Sequence, residues 1–135
     1  MLTRNTLPNR RRSITQKVRI GNRRRTLYLT TDAARSPKEL FVRVNGEDCT
    51  AELTGLYDVL ARLTSLALQY GAPVESVGTM LCGSKFEPCG IVIGHDRIRF
   101  CSSLPDAIGQ HLLSLSTDAQ ARSKTIGPVR QRVGT

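Results

Sequence analysis

The stretch Ser13–Val44, SITQKVRIGNRRRTLYLTTDAARSPKELFVRV, decides the fold class. Ile14, Val18 and Ile20 fall on one side of an alternation whose other side is Thr15, Lys17 and Arg19. That period of two is the pattern of a half-buried strand. Gly21-Asn22 supplies a turn, and Thr26–Thr31 continues as a second strand with Leu27 and Leu29 facing inward. A longer connection over Asp32–Lys38 leads to a third strand carrying Leu40, Val42 and Val44, closed by Asn45-Gly46. Three short strands joined this way read as an antiparallel sheet with one face on a core.

Past this stretch the period changes. Leu53, Leu56, Tyr57, Leu60, Leu63, Leu66, Ala67 and Tyr70 recur at helical spacing and predict one long amphipathic helix over 50–70. Gly71 is a fitting stop, and Pro73 opens a short second helix marked by Val74, Val77 and Leu81. Cys82–Gly94 reads as loop, within which Ile91, Val92 and Ile93 either pair as a short strand or pack beneath the loop. Ser103 caps a third helix, with Pro105 in its first turn and Asp106 three residues after the cap. That helix carries Leu104, Ala107, Ile108, Leu112 and Leu115. The expected fold is therefore α+β: a three-stranded antiparallel sheet against a long amphipathic helix, plus two shorter helices. Residues 1–12 form a basic arm, 13–115 the domain, and 116–135 a polar, basic, flexible tail.

The net charge of +9 is not spread evenly. Nine of the twenty cations stand in the first 25 residues, which hold no acid, and the rest of the chain balances eleven against eleven. Arginine dominates, which suits bidentate phosphate recognition, although a run of this kind is also the composition of a solvated arm. There is no run of about 18 apolar residues and no apolar segment after the Arg-rich start, so the expected setting is the cytoplasm of a bacterium or of a phage-infected cell. Cys49, Cys82, Cys89 and Cys101 form no CxxC pair, and with His95 and His111 they match no common zinc spacing. Buried apolar thiols are the expectation, and no metal or other cofactor is implied. With aromatic residues at 4% and an apolar helix stripe, the chain has little for one small core, which predicts a homo-oligomer.

From Leu66 onward, LQYG at a helix end, the FEP-x-G loop, the GHDRI segment and a helix start follow in order; RRRSITQKVRIG, TLYLTT and ELFVRV precede them. This arrangement, from Leu7 to Leu112, resembles the TSCPD domain found at the C-terminal end of cobalamin-dependent (class II) ribonucleotide reductases. The signature that names the domain corresponds here to Ser102-Ser103-Leu104-Pro105-Asp106, with Leu104 where the family has cysteine. The resemblance implies the fold and a nucleotide context. It does not imply the reductase reaction, since the catalytic barrel has no counterpart in these 135 residues.

No catalytic constellation stands out: neither histidine has a local acid, and no paired carboxylates or serine elbow occur. A ligand site is easier to build. Phe86 is either a lid on the core or a stacking platform for a base. Asp96 can accept from a hydroxyl or amino group, and Arg97 and Arg99 flank Ile98 so that both guanidinium groups share a face. Arg62 sits at the edge of the helix stripe, where it either snorkels or reaches into a cleft. Arg10, Arg11, Arg12 and Arg19 are further candidate phosphate contacts. Three functions follow. One is a non-catalytic nucleotide binder, such as a phage anti-defence protein that sequesters cyclic nucleotide signals. The second is an accessory module with a ribonucleotide reductase as partner. The third is an RNA- or DNA-binding protein using the Arg-rich arm.

Overall fold

A computed structural model describes residues 2–21 and 25–124. Strands β1 (Ser13–Ile20), β2 (Arg25–Asp32) and β3 (Leu40–Asn45) are followed by helices α1 (Ala51–Gln69) and α2 (Val74–Leu81). A hairpin of β4 (Gly90–Ile93) and β5 (Phe100–Cys101) then leads into α3 (Leu104–Lys124). The turn placed at Gly21-Asn22 lies partly outside the described residues, and the tail beyond Lys124 wholly so.

The sheet has five strands, not three, in the order β3-β2-β1-β4-β5 and antiparallel throughout. The late hairpin docks on the first strand through Arg19 opposite Ile93 and Ile20 opposite Val92. β4 has four residues and β5 two, too few to show an alternation in sequence. α3, with 21 residues, is also longer than α1, with 19, rather than one of two shorter helices. It runs past Leu115, where the sequence reading ends regular structure.

All three helices cover one face. Val18, Ile20, Leu27, Leu29, Val42, Val44, Val92 and Cys101 point into the core, where they meet Tyr57, Ala61, Leu104, Ala107 and Ile108. α1 turns Tyr57, Ala61, Thr64 and Leu68 inward, not the whole leucine stripe that its sequence suggests. The small side chains of Ala61 and Thr64 let the helix approach β3, and the Ser65 hydroxyl accepts from the Leu40 amide at 2.8 Å. Leu56, Leu63, Leu66 and Tyr70 are left exposed. The helix ends in a Schellman motif, as Gly71 predicts: Gly71 at φ +101° donates to Leu68, and Ala72 to Ala67.

α2 and α3 cross at two glycines, which the sequence reading passed over. A β-carbon on Gly109 would lie 2.5 Å from the Gly78 carbonyl oxygen. The cysteines also depart from expectation. Only Cys101 is fully buried, Cys49 and Cys82 are half-buried, and Cys89 is exposed. Burial pushes the Cys101 thiol up to about 11.

Candidate functional site

The SSLPD segment is a helix cap that also holds two loops. The Ser103 hydroxyl accepts from the Asp106 amide at 3.1 Å, and Asp106 accepts in return from the Ser102 amide at 3.0 Å. The pair resembles a capping box, except that the carboxylate takes the amide of Ser102, one residue before the capping Ser103. The same carboxylate accepts from the Gly83 amide (2.9 Å) and from the Gln110 side chain (2.8 Å). Burial opposes its ionisation, yet these donors outweigh it and hold the Asp106 carboxyl below its ordinary range. Leu104 is fully buried, so it serves the core at the position where the family signature has cysteine.

The loop bearing Phe86 hangs from this cap. Ser84 shares a hydrogen bond with Ser103 at 2.8 Å, the Ser102 hydroxyl donates to the Ser84 carbonyl at 2.8 Å, and the Phe86 amide donates to the Ser102 carbonyl at 3.0 Å. The Glu87–Pro88 peptide is cis. Phe86 itself is 51% exposed.

A second anchor fixes the neighbouring turn. His95 is buried, and its Nδ1 accepts from the amides of Arg97 (3.1 Å) and Ile98 (3.3 Å). An accepting Nδ1 places the proton of the neutral ring on Nε2, which then donates to Nδ1 of His111 at 3.0 Å. Burial first, and then the neighbouring His95, push His111 down to about 4. Ile98 goes into the core while Asp96, Arg97 and Arg99 stand exposed on either side of it, as their alternation requires. The Arg99 guanidinium donates to the His95 carbonyl at 3.1 Å.

Phe86, Asp96, Arg97 and Arg99 thus all border the β4–β5 edge of the sheet, Phe86 beside Ser102 and the other three in the turn between the two strands. Arg62 is not with them. It lies on α1 against β3, at the opposite sheet edge, in a 430 Å³ cleft shared with Arg4, Phe41 and Gln69. There it pairs with Asp58 at 3.2 Å. Among the arm residues, Arg11 makes a bidentate pair with the buried Glu39 (2.6 Å for each bond) and so fastens the arm, whereas Arg10 and Arg12 are exposed. Arg19 points outward from β1. The positioning residues Ser84, Ser102, Ser103, His95 and His111 are absent from the sequence-based site. The cap was visible in the spacing of Ser103 and Asp106, but its reach to the Phe86 loop spans contacts between distant segments. Among the described residues, no three His, Cys, Asp or Glu side chains are grouped to hold a metal ion. No helix is long and apolar enough to cross a membrane among those residues.

Residues 3–115 match the family model of the TSCPD domain. The chain is 34% identical over 108 residues to a vitamin B12-dependent ribonucleotide reductase of Agrobacterium fabrum, covering 78% of this chain and 8% of that protein. A reductase of the same description from Bradyrhizobium diazoefficiens is 32% identical over 114 residues, covering 83% of this chain and 9% of the relative. One from Rhodopirellula baltica is 31% identical over 106 residues, covering 78% and 10%. The chain therefore spans about a tenth of the length of these relatives. No solved structure matches it. With the signature segment, the order of motifs and the family model over residues 3–115 in agreement, the chain belongs to the TSCPD domain family.

Proposed function

We propose that this domain is a non-catalytic nucleotide-binding module, with a nucleotide-like anion held along the β4–β5 edge between the Phe86 loop and the His95–Arg99 turn. The observation that carries this reading is Phe86: a large aromatic ring, 51% exposed, on a loop whose backbone is fixed by the helix cap. A ring held in solvent by a rigid frame offers a stacking surface at little ordering cost, worth about 1–3 kcal/mol per base. Arg97 and Arg99 supply charge for phosphate, and Asp96 an acceptor for a hydroxyl or amino group. Cyclic nucleotides, released unchanged as by a sequestering protein of a phage, are the ligand class that tests this most sharply. The free thiols fit a reducing compartment such as the cytoplasm.

The module acts as a homo-oligomer in this reading. Leu56, Val59, Leu63, Leu66 and Tyr70 follow the three-four spacing of a coiled-coil seam, on a face of α1 that the core does not use. With Met80 and Phe41 around the shared cleft walls of Val59 and Leu63, the exposed fractions amount to roughly 750 Å² of apolar side chain, at about 200 Å² for each full side chain. A stable dimer needs about 800 Å² from each partner, and a second copy supplies the same seam by two-fold symmetry. Arg62, which flanks the seam, reaches a nucleotide only through such a second copy.

Calorimetric titration with cyclic dinucleotides, cyclic ADP-ribose isomers and deoxynucleoside triphosphates tests the site. Saturable binding that is lost in Phe86→Ala supports it; no binding to any of these ligands removes it. The second reading, an accessory module for a B12-dependent reductase, is favoured by the relatives themselves, which carry this segment within a larger protein. Co-sedimentation with such a reductase, without nucleotide binding by the domain alone, would select it.

A further inference from the structure

The helices leave the other face of the sheet bare. Its outward positions form a register: Lys17 lies opposite Tyr28 on β2, and Tyr28 opposite Arg43 on β3. Arg19 lies opposite Ile93, and Ile91 opposite Phe100. The Lys17 ammonium stands 5.7 Å from the Tyr28 ring centre, and the Arg43 guanidinium 4.6 Å. Phe100 is 59% exposed, Ile91 63% and Ile93 46%. The one acid of outward parity on these strands is Asp32, which is buried at the end of β2 and accepts from the amides of Lys38 and Glu39. The open part of the face therefore carries cations, aromatic rings and aliphatic side chains, and no exposed carboxylate.

We propose that this outer face binds single-stranded nucleic acid, at a site separate from the one around Phe86. A flat sheet that presents aromatic rings lets successive unpaired bases lie across its strands, while cations between the rings hold the backbone. Tyr28, Phe41 and Phe100 are the rings, on β2, β3 and β5; Phe100 lies three strands away from Tyr28 and further along by the register, so these two are roughly 20 Å apart. Lys17, Arg19 and Arg43 lie around and between them. Arg43, already stacked on Tyr28, extends that platform, since a guanidinium plane accepts a base as an aromatic ring does. Duplexes do not fit this chemistry, because their bases are not free to stack on the face. The arm stands elsewhere: Arg11 is tied to Glu39, and the Asn5 amide donates to the Gln69 carbonyl at the end of α1.

Fluorescence anisotropy of the full chain with labelled single-stranded RNA, single-stranded DNA and duplex DNA tests the proposal. Single strands of either sugar should bind, and duplex should bind at least about tenfold more weakly. With three phosphate contacts, the logarithm of affinity should fall with the logarithm of salt at a slope of about −2. Lys17→Gln with Arg43→Gln should weaken single-strand binding about tenfold or more and flatten that slope, with the thermal midpoint and mononucleotide binding at the Phe86 site unchanged. Arg10→Gln with Arg12→Gln serves as the arm control and should have the smaller effect. Three results overturn the proposal: no single-strand binding at low salt, an effect confined to the arm variant, or a face variant that alters sedimentation while leaving nucleic-acid affinity intact. The last would identify the face as a contact between copies. Failure of the Phe86 site would show instead as loss of mononucleotide binding alone, so the two readings fail separately.

Discussion

Asp106 accepts from three groups in three segments, so its loss should cost more than an ordinary helix cap. Asp106→Ala is expected to destabilise the domain by about 2–3 kcal/mol, and Ser103→Ala by about 1 kcal/mol, in urea unfolding. Their difference measures the reach of the carboxylate beyond the cap. The two titrating groups act over different pH ranges. His111 has its folded pKa lowered to about 4, so between there and the ordinary 6.5 the unfolded chain takes up the proton. Stability is therefore full above about 6.5 and declines towards pH 4, by about 3 kcal/mol for a shift of this size. Asp106, also lowered, keeps its contribution until the pH falls below the usual carboxylate range, and then loses it. His111→Met should flatten the first decline and leave the second. A melting profile without any slope between pH 6.5 and 4 would contradict the buried histidine pair. Ser103 and Asp106 were legible in the sequence as a cap because capping is local. The pairing of His95 with His111 was not, because nothing in a spacing of sixteen residues says that a turn folds onto a helix face.

At the scale of elements, the crossing of α2 and α3 has the least room. Gly109→Ala must move Gly78 backbone or the Cys82 side chain, whose sulfur would be 2.8 Å from the new β-carbon. A loss of about 3 kcal/mol in unfolding free energy is expected, at the upper end for overpacking a core. A wild-type midpoint in this variant would show that the helices separate freely. α1 is the opposite case, with a whole apolar face to spare. On the proposed homo-oligomer, Leu63→Lys should give a monomer in sedimentation equilibrium without lowering monomer stability, because Leu63 is 62% exposed. The helix itself was plain from its period, but which of two adjacent stripes turns inward was not. That choice depends on how closely Ala61 and Thr64 let the backbone approach β3, a property of the packed pair. The first three strands were legible from alternation over six to eight residues, whereas β4 is fixed by its pairing with β1 and β5 by its pairing with β4.

For the whole molecule, the arrangement separates a scaffold from its surfaces. The signature segment and the histidine pair set two exposed turns along the β4–β5 edge of the sheet, and the rest of the core holds that edge in place. Phe86, Asp96, Arg97 and Arg99 were grouped because they crowd into one stretch of sequence; Phe86 hangs beside Ser102 at the open end of the β4–β5 hairpin, and the other three stand in its turn. Arg62 was grouped with them on chemistry alone, and the sheet lies between. The central claim is that the exposed Phe86 ring belongs to a nucleotide site and not to the core. The most direct measurement is nucleotide binding and thermal unfolding of Phe86→Ala side by side with the parent chain, with the ligand recovered and identified after equilibrium dialysis. The account predicts at least about a tenfold loss of affinity, in line with 1–3 kcal/mol for a stacked base, an almost unchanged thermal midpoint, and ligand returned chemically intact by the parent. A large fall in midpoint with affinity preserved, or a ligand returned altered, would contradict it.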